Sequence, residues 1–255
     1  MARTHLRYGW IPDLPDQRDH LYAAPPRVLT KLPARVDLRP RCPPVFDQGM
    51  LGSCTANAIG NAYRFDLLKQ GGAKGFVPSR LFLYFNERVI EGTTATDAGA
   101  MLRDGIKTLA KQGVCAEKSW PYEIDRYAEK PPTRAYREAL SHQALSYQRL
   151  VQDPWQMKGC LASGYPFVLG FSVYESFESP TVATSGEMPM PGPGERLLGG
   201  HAVLAVGYDD RTQQFTAMNS WSVKWGDKGF FRMPYAYLAN PQLARDLWTV
   251  RTVEG

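Results

Sequence analysis

A chain of 255 residues, 44% hydrophobic and 22% charged, is too apolar for disorder and suits one large domain or two closely packed halves. Its net charge of +5 comes from dispersed Lys and Arg, without a basic run or a nucleic-acid motif, which argues against nucleic acid as the main partner. No apolar run approaches a membrane span, and the four cysteines form no C-x-x-C pair and no metal-ligand spacing with histidine, so neither membrane association nor a metal or other cofactor is expected.

Residues 1–31 form a proline-punctuated lead with Trp10, Ile11, Leu14 and Tyr22 as apolar anchors, read as a segment that packs on the body rather than a domain. Met1 to Trp10 lack the apolar core of a secretory signal, leaving a cytoplasmic location, another export route or a removed signal as readings. From residue 32 the text is domain-like. A helix is expected from Cys54 to a stop at Gly71-Gly72, apolar on more than one face as in a buried helix. Further helices are expected over Leu81 to Ile90, around Met101, Leu102, Ile106 and Leu109 with a stop at Gly113, over Thr133 to His142, and from Pro154 to Gly164. The period then changes. Phe167 to Tyr174, Ala202 to Tyr208, Phe215 to Asn219, Gly229 to Met233 and Leu247 to Val253 read as strands, with a surface loop over Gly186 to Gly200. Helices followed by strands predict an α+β protein: a mainly helical subdomain to about residue 125, a mainly antiparallel β subdomain from about 165, and a cleft between them.

Cys54 stands between the glycine-punctuated loop Gln48 to Gly52 and an apolar helix, where the positive helix N-terminus favours a thiolate. Of four histidines, His5 and His20 lie in the lead and His142 ends a polar helix. His201, after Gly199-Gly200 at the start of a strand, is best placed to face a cleft. A thiol and an imidazole within reach of each other make a nucleophile and an acid, provided a third group orients the ring. Asn219, ending the next strand, is that candidate, with Trp221 beside it as a shield from water. The Cys54 backbone N–H and the Gln48 amide would serve as oxyanion donors.

Taken together, these blocks resemble the papain-like cysteine peptidases over about residues 32–235. The resemblance is carried by Pro33 to Arg39, by Gln48 to Ala56, by Gly113-Val114 through Trp120-Pro121-Tyr122, by Gly199 to Val203, and by Asn219-Ser220-Trp221 with Trp225-Gly226 and Gly229. It implies a papain-like fold with a helical left and an antiparallel β right subdomain over 32–255, acting as a monomeric endopeptidase on peptides or proteins. Cys54 would be the nucleophile, His201 the general base and acid, Asn219 its orienting partner and Gln48 an oxyanion donor. Gly99, Ala100, Met101 and Leu102 would form the substrate-binding segment, with Trp221 also lining the cleft. Gly170 and Ala202 would form the wall and floor of the pocket for the second residue before the scissile bond, where an apolar side chain is expected. The rivals are a catalytically silent peptide-binding relative and an amidase or acyl transferase using the same residues.

Three departures stand out. Thr55 replaces the aromatic residue that usually follows the nucleophile, which is expected to loosen packing there. Leu51 replaces a cysteine of the nucleophile loop, removing the family's usual disulfide. A long helical propeptide is absent, so within the 1–31 lead Trp10 to Asp19 is the candidate to lie over the cleft as a short inhibitory segment. The pairing of Cys42, Cys115 and Cys160 is not legible from sequence.

Overall fold

The structure is a computed structural model that describes residues 8–255; the first seven positions of the lead, His5 among them, lie outside the described residues. The helical half is built on α2 (Cys54–Lys69), α3 (Arg80–Glu91) and α4 (Leu102–Lys111), preceded by the short α1 (Pro26–Leu29) and followed by α5 (Thr133–Ala139) and α6 (Pro154–Ala162). Helix α2 is apolar on several faces because it lies between layers, packing on α3 and α4 and on the sheet. The Ser79 side chain caps α3 by accepting from the Phe82 N–H (3.1 Å), and Gly92 ends that helix in the left-handed conformation.

The β half is one sheet in the order β2-β5-β10-β6-β7-β8-β9, where β2 is Leu21–Tyr22, β5 Ala144–Leu150, β6 Phe167–Tyr174, β7 Leu197–Asp209, β8 Gln214–Met218, β9 Phe230–Pro234 and β10 Ala244–Val253. Strand β3 (Arg35–Asp37) adds to β7, and the short helices α7 (Pro180–Ser185) and α8 (Tyr235–Ala239) lie in its connections. The strands read from sequence are present, but β5 is not among them: only its ends, Ala144 and Leu150, are buried, so its pattern does not alternate cleanly. Strand β7 begins at Leu197, so the last residues of the expected loop are strand, hydrogen-bonded to β6. β2 joins β5 in parallel, which makes the sheet mixed.

The described part of the lead is docked through Trp10, Asp13 and Tyr22, whereas Leu14, expected as an apolar anchor, is exposed (67%). Strand β1 (Trp10–Ile11) runs parallel to β4 (Ala100–Met101), with the Ala100 N–H donating to the Gly9 carbonyl (2.7 Å). The Asp13 carboxyl accepts from the Arg103 N–H (3.0 Å) and from Trp248 Nε1 (2.9 Å), while the Asp13 N–H donates to Asp246 Oδ2 (2.7 Å). Arg103 and Arg149 then share the Asp19 carboxylate. These charge-assisted bonds fix a segment that has too few apolar residues to hold itself.

Gly113 has φ +74°, and a Cβ there would run into the Ala139 carbonyl. Gly113→Ala should destabilise the fold by about 2 kcal/mol, read as a melting temperature lowered by about 4–8 °C.

Candidate active site

Cys54 is the first residue of α2, His201 lies in β7 and Asn219 directly follows β8. No side chain caps α2: the Ser53 hydroxyl is engaged with the Tyr122 hydroxyl (2.5 Å) instead. The first-turn N–H groups around Cys54 are thus left without an oxygen cap from Ser53, and the positive end of the helix is directed at the sulfur.

Asn219 Oδ1 lies 2.8 Å from His201 Nε2 and also accepts from the Ser220 N–H (2.8 Å). Because a backbone N–H can only donate, that Asn219 atom is the oxygen, and Nε2 of His201 must carry the proton. The opposite ring nitrogen, Nδ1, is buried with no hydrogen-bond partner. Trp221 stacks on the imidazole (centroids 4.8 Å apart, planes at 28°) and Phe171 meets its edge at 5.7 Å. The ring is therefore fixed in tautomer, in plane and in tilt.

Gln48 belongs to the loop before α2 but is held from the β half. Its N–H donates to the Ser220 carbonyl (2.9 Å), and its side-chain oxygen accepts from the Ser220 hydroxyl (2.6 Å). Its amide nitrogen donates to the Leu51 carbonyl (2.9 Å), and Tyr122 holds its backbone carbonyl. Gly170 and Ala202, expected to line one pocket, are directly paired across β6 and β7. Ala100 and Met101 form β4 after Gly99 and Leu102 opens α4; Ala100 and Leu102 are both fully buried in the core, and Met101 is partly exposed. His20 is exposed, and His142 contacts Phe76 and Tyr63 away from the cleft. All four cysteines are free thiols. Among the described residues, no group of three or more His, Cys, Asp or Glu side chains could hold a metal ion.

The lead runs through this site. The Trp10 indole lies so close to Gly170 and Gly200 that a Cβ on either would collide with it. Gly9 packs against the Gly52 carbonyl just as tightly, and the Tyr8 ring lies 6.3 Å from His201. Burial pushes the Cys54 thiol up to about 12, against N–H groups of Ala202, Gly9 and Thr55 that point at the sulfur and lower it. Burial likewise pulls His201 down to about 4 despite its bond to Asn219. In this closed state the pair is thiol and neutral imidazole.

Several supporting residues carry no sequence signal. The Asp97 carboxylate accepts from the Gly52 N–H (3.1 and 3.2 Å to its two oxygens) and from the Tyr84 hydroxyl, which in turn accepts from the Gly99 N–H (3.1 Å). This bridge ties the nucleophile loop, where Leu51 stands in place of the cysteine the resemblance implies, to the glycine segment. Position 55 is not loosened as expected: Thr55 is fully buried and donates to Glu87 Oε2 (2.7 Å). The missing cysteine was the one sign that a tether was needed; nothing in the sequence marked Asp97 or Glu87 as the residues involved.

His201, held neutral by burial, destabilises the closed state as pH falls from about 6.5 towards 4, because any state exposing the ring takes up the proton first. The denaturant midpoint should drop further over that window in the wild type than in His201→Ala; equal drops would show that the ring is not held neutral.

Three comparisons bear on this geometry. The papain family cysteine protease model matches residues 32–246. An uncharacterized peptidase C1-like protein, L477, of Acanthamoeba polyphaga mimivirus is 42% identical, over 96% of this chain and 87% of its own length. Cathepsin B-like CP3 of Giardia intestinalis is 31% identical over 80% of this chain and 70% of its own. Among solved structures, xylellain, a cysteine protease from Xylella fastidiosa, superposes with a TM-score of 0.90 at 45% identity, covering 97% of this chain and 96% of its own. Procathepsin B S9 of Trypanosoma congolense, at 18% identity, shares the fold with a TM-score of 0.78 over 97% of this chain and 86% of its own.

Proposed function

Since the chain belongs to the papain family of cysteine proteases and is a cysteine-type peptidase, we propose that Cys54 and His201 cleave peptide bonds through an acyl-enzyme, and that residues 8–31 hold the enzyme latent until they leave the cleft. The observation that carries the reading is the imposed tautomer of His201. With Nε2 donating to Asn219, Nδ1 is left as the acceptor for the thiol proton.

Once the lead is displaced, water re-enters and the desolvation that keeps both groups neutral is relieved. The proton passes from Sγ to Nδ1, giving a thiolate at the helix N-terminus beside an imidazolium. The thiolate attacks the peptide carbonyl. The Cys54 N–H and the Gln48 amide, turned from the Leu51 carbonyl, stabilise the oxyanion. The imidazolium protonates the leaving amine, and the acyl-enzyme remains. His201 then takes a proton from water, which attacks the thioester and releases the acid.

The pocket lined by Gly170, Gly200 and Ala202 is wide because these residues have little or no side chain. Trp10 fills it, yet its indole N–H finds no partner there. A buried N–H without an acceptor costs about 1–3 kcal/mol, so Phe and Leu should be preferred over Trp at the second residue before the scissile bond. The lead resists its own cleavage because it offers the sulfur an N–H, that of Gly9, while the Gly9 carbonyl is bonded to Ala100.

Cys54→Ala should abolish peptide hydrolysis, and residual turnover in purified protein would refute the nucleophile assignment. Asn219→Ala should lower kcat by roughly 10–100-fold, less than loss of the thiol, since it orients rather than attacks. Trp10→Ala removes about 2–3 kcal/mol of ring burial and should speed iodoacetamide alkylation of Cys54 in the intact chain by about tenfold or more. Unchanged alkylation in Trp10→Ala and Arg103→Ala alike would rule out latency by the lead.

A further inference from the structure

Glu87 is a fully buried carboxyl group that the proposed reaction does not use. It lies on α3, between α2 and α4. Its Oε2 accepts from the hydroxyl of Thr55, the residue next to Cys54 in the uncapped first turn of α2. Its Oε1 has no hydrogen-bond partner and lies against Gly105 of α4, where a Cβ would collide with both Oε1 and the Ile59 side chain. The glycine is what lets α4 come close enough to seal the carboxyl from water.

The charged groups around it do not compensate a negative charge. From α4 comes Asp104, and on its own helix stand Glu91, which accepts from the Met101 N–H, and Arg88. The Arg88 guanidinium is committed to the carbonyls of Tyr84, Thr94, Thr96 and Tyr127. From α2 only the Thr55 hydroxyl reaches it. A carboxylate here would be a buried charge with one neutral hydrogen bond, an arrangement that proteins avoid by keeping the proton.

We propose that Glu87 is a positioning residue for Cys54: through Thr55 it fixes the turn that carries the nucleophile, and it works as the neutral acid, so that no negative charge confronts the thiolate. Burial raises its pKa to about 8, and its charge is among the influences that push the Cys54 thiol up. The consequence is a second control on the alkaline side. Once Glu87 ionises, its charge disfavours the thiolate, and activity falls even where His201 keeps its proton.

The inference rests on Cys54 being the nucleophile, and the experiment separates the two. The full-length chain and its Glu87→Gln and Glu87→Leu variants, all carrying Trp10→Ala to open the cleft and with the Glu87 parent serving as wild type, are compared from about pH 5.5 to 9.5 for kcat/KM on a peptide and for iodoacetamide alkylation mapped to Cys54. Rates are normalised to the thiol titrated by an epoxide. Glu87→Gln keeps an acceptor for Thr55 but cannot ionise. It should stay within about twofold of wild type near pH 6 and exceed it by about three- to tenfold near pH 9, as expected for removing one nearby charge in a partly screened site. Glu87→Leu should lose about tenfold at every pH, because a hydrogen bond to a buried hydroxyl is gone. Superimposable profiles for wild type and Glu87→Gln would overturn the proposal, as would a Glu87→Gln defect that is largest near pH 6. If Glu87→Leu fails to fold, the glutamine variant decides alone. No alkylation of Cys54 at any pH in the Trp10→Ala parent, where the cleft is opened, would instead refute the nucleophile, and this inference with it.

Discussion

Two hydrogen bonds between Gln48 and Ser220 join the two halves of the molecule at the point where the chemistry requires it. Cys54 is delivered by a helix and His201 by a strand, and no covalent link relates them. The backbone and side chain of Ser220 hold the loop that leads into α2, while its N–H fixes the amide orientation of Asn219 and hence the proton on His201. One residue thus ties the placement of the nucleophile to the tautomer of its base. Both bonds are buried, where a satisfied polar network is rigid and a broken one leaves groups without partners.

The closed state depends on an exchange of solvation. Tyr8, Gly9 and Trp10 lie beside the thiol and imidazole, and burial is what holds these two groups uncharged. The occupant need not distort the site. It has only to be held, and its grip lies some way along the lead, in the carboxyl and guanidinium groups of Asp13, Asp19, Arg103 and Arg149. Grip and plug are separate parts of one short segment, so each can be weakened without touching the other.

Much of this was legible in the sequence, for definite physical reasons. Helices such as α4 declare themselves through a 3.6-residue period and strands such as β6 through an apolar run; Cys54 opens such a helix and Asn219 directly follows such a strand, while His201 lies inside β7. β5 was not legible because only its two ends are buried and its interior carries no alternation, and β1 and β2 because two residues are too few to carry a pattern. The docked course of residues 10–19 was suspected from scattered apolar anchors, yet what fixes it is ionic, from partners more than eighty positions away. Asp97 and Glu87 were invisible for a related reason. A lone acidic residue in a loop or helix reads as solvated surface, and only the fold places these two beside buried backbone amides or hydroxyls.

The Asp97 bridge has one more consequence. Leu51 leaves the nucleophile loop without the disulfide that the family resemblance implies, and a carboxylate and a phenol tie this loop at Gly52 to the segment at Gly99. A disulfide must be made by an oxidant, yet the same oxidant threatens a thiol that has to stay reduced for attack. Hydrogen bonds carry no such conflict. The protein can assemble its working geometry in a fully reducing milieu, and thiol reductants that keep Cys54 competent leave the scaffold around it untouched.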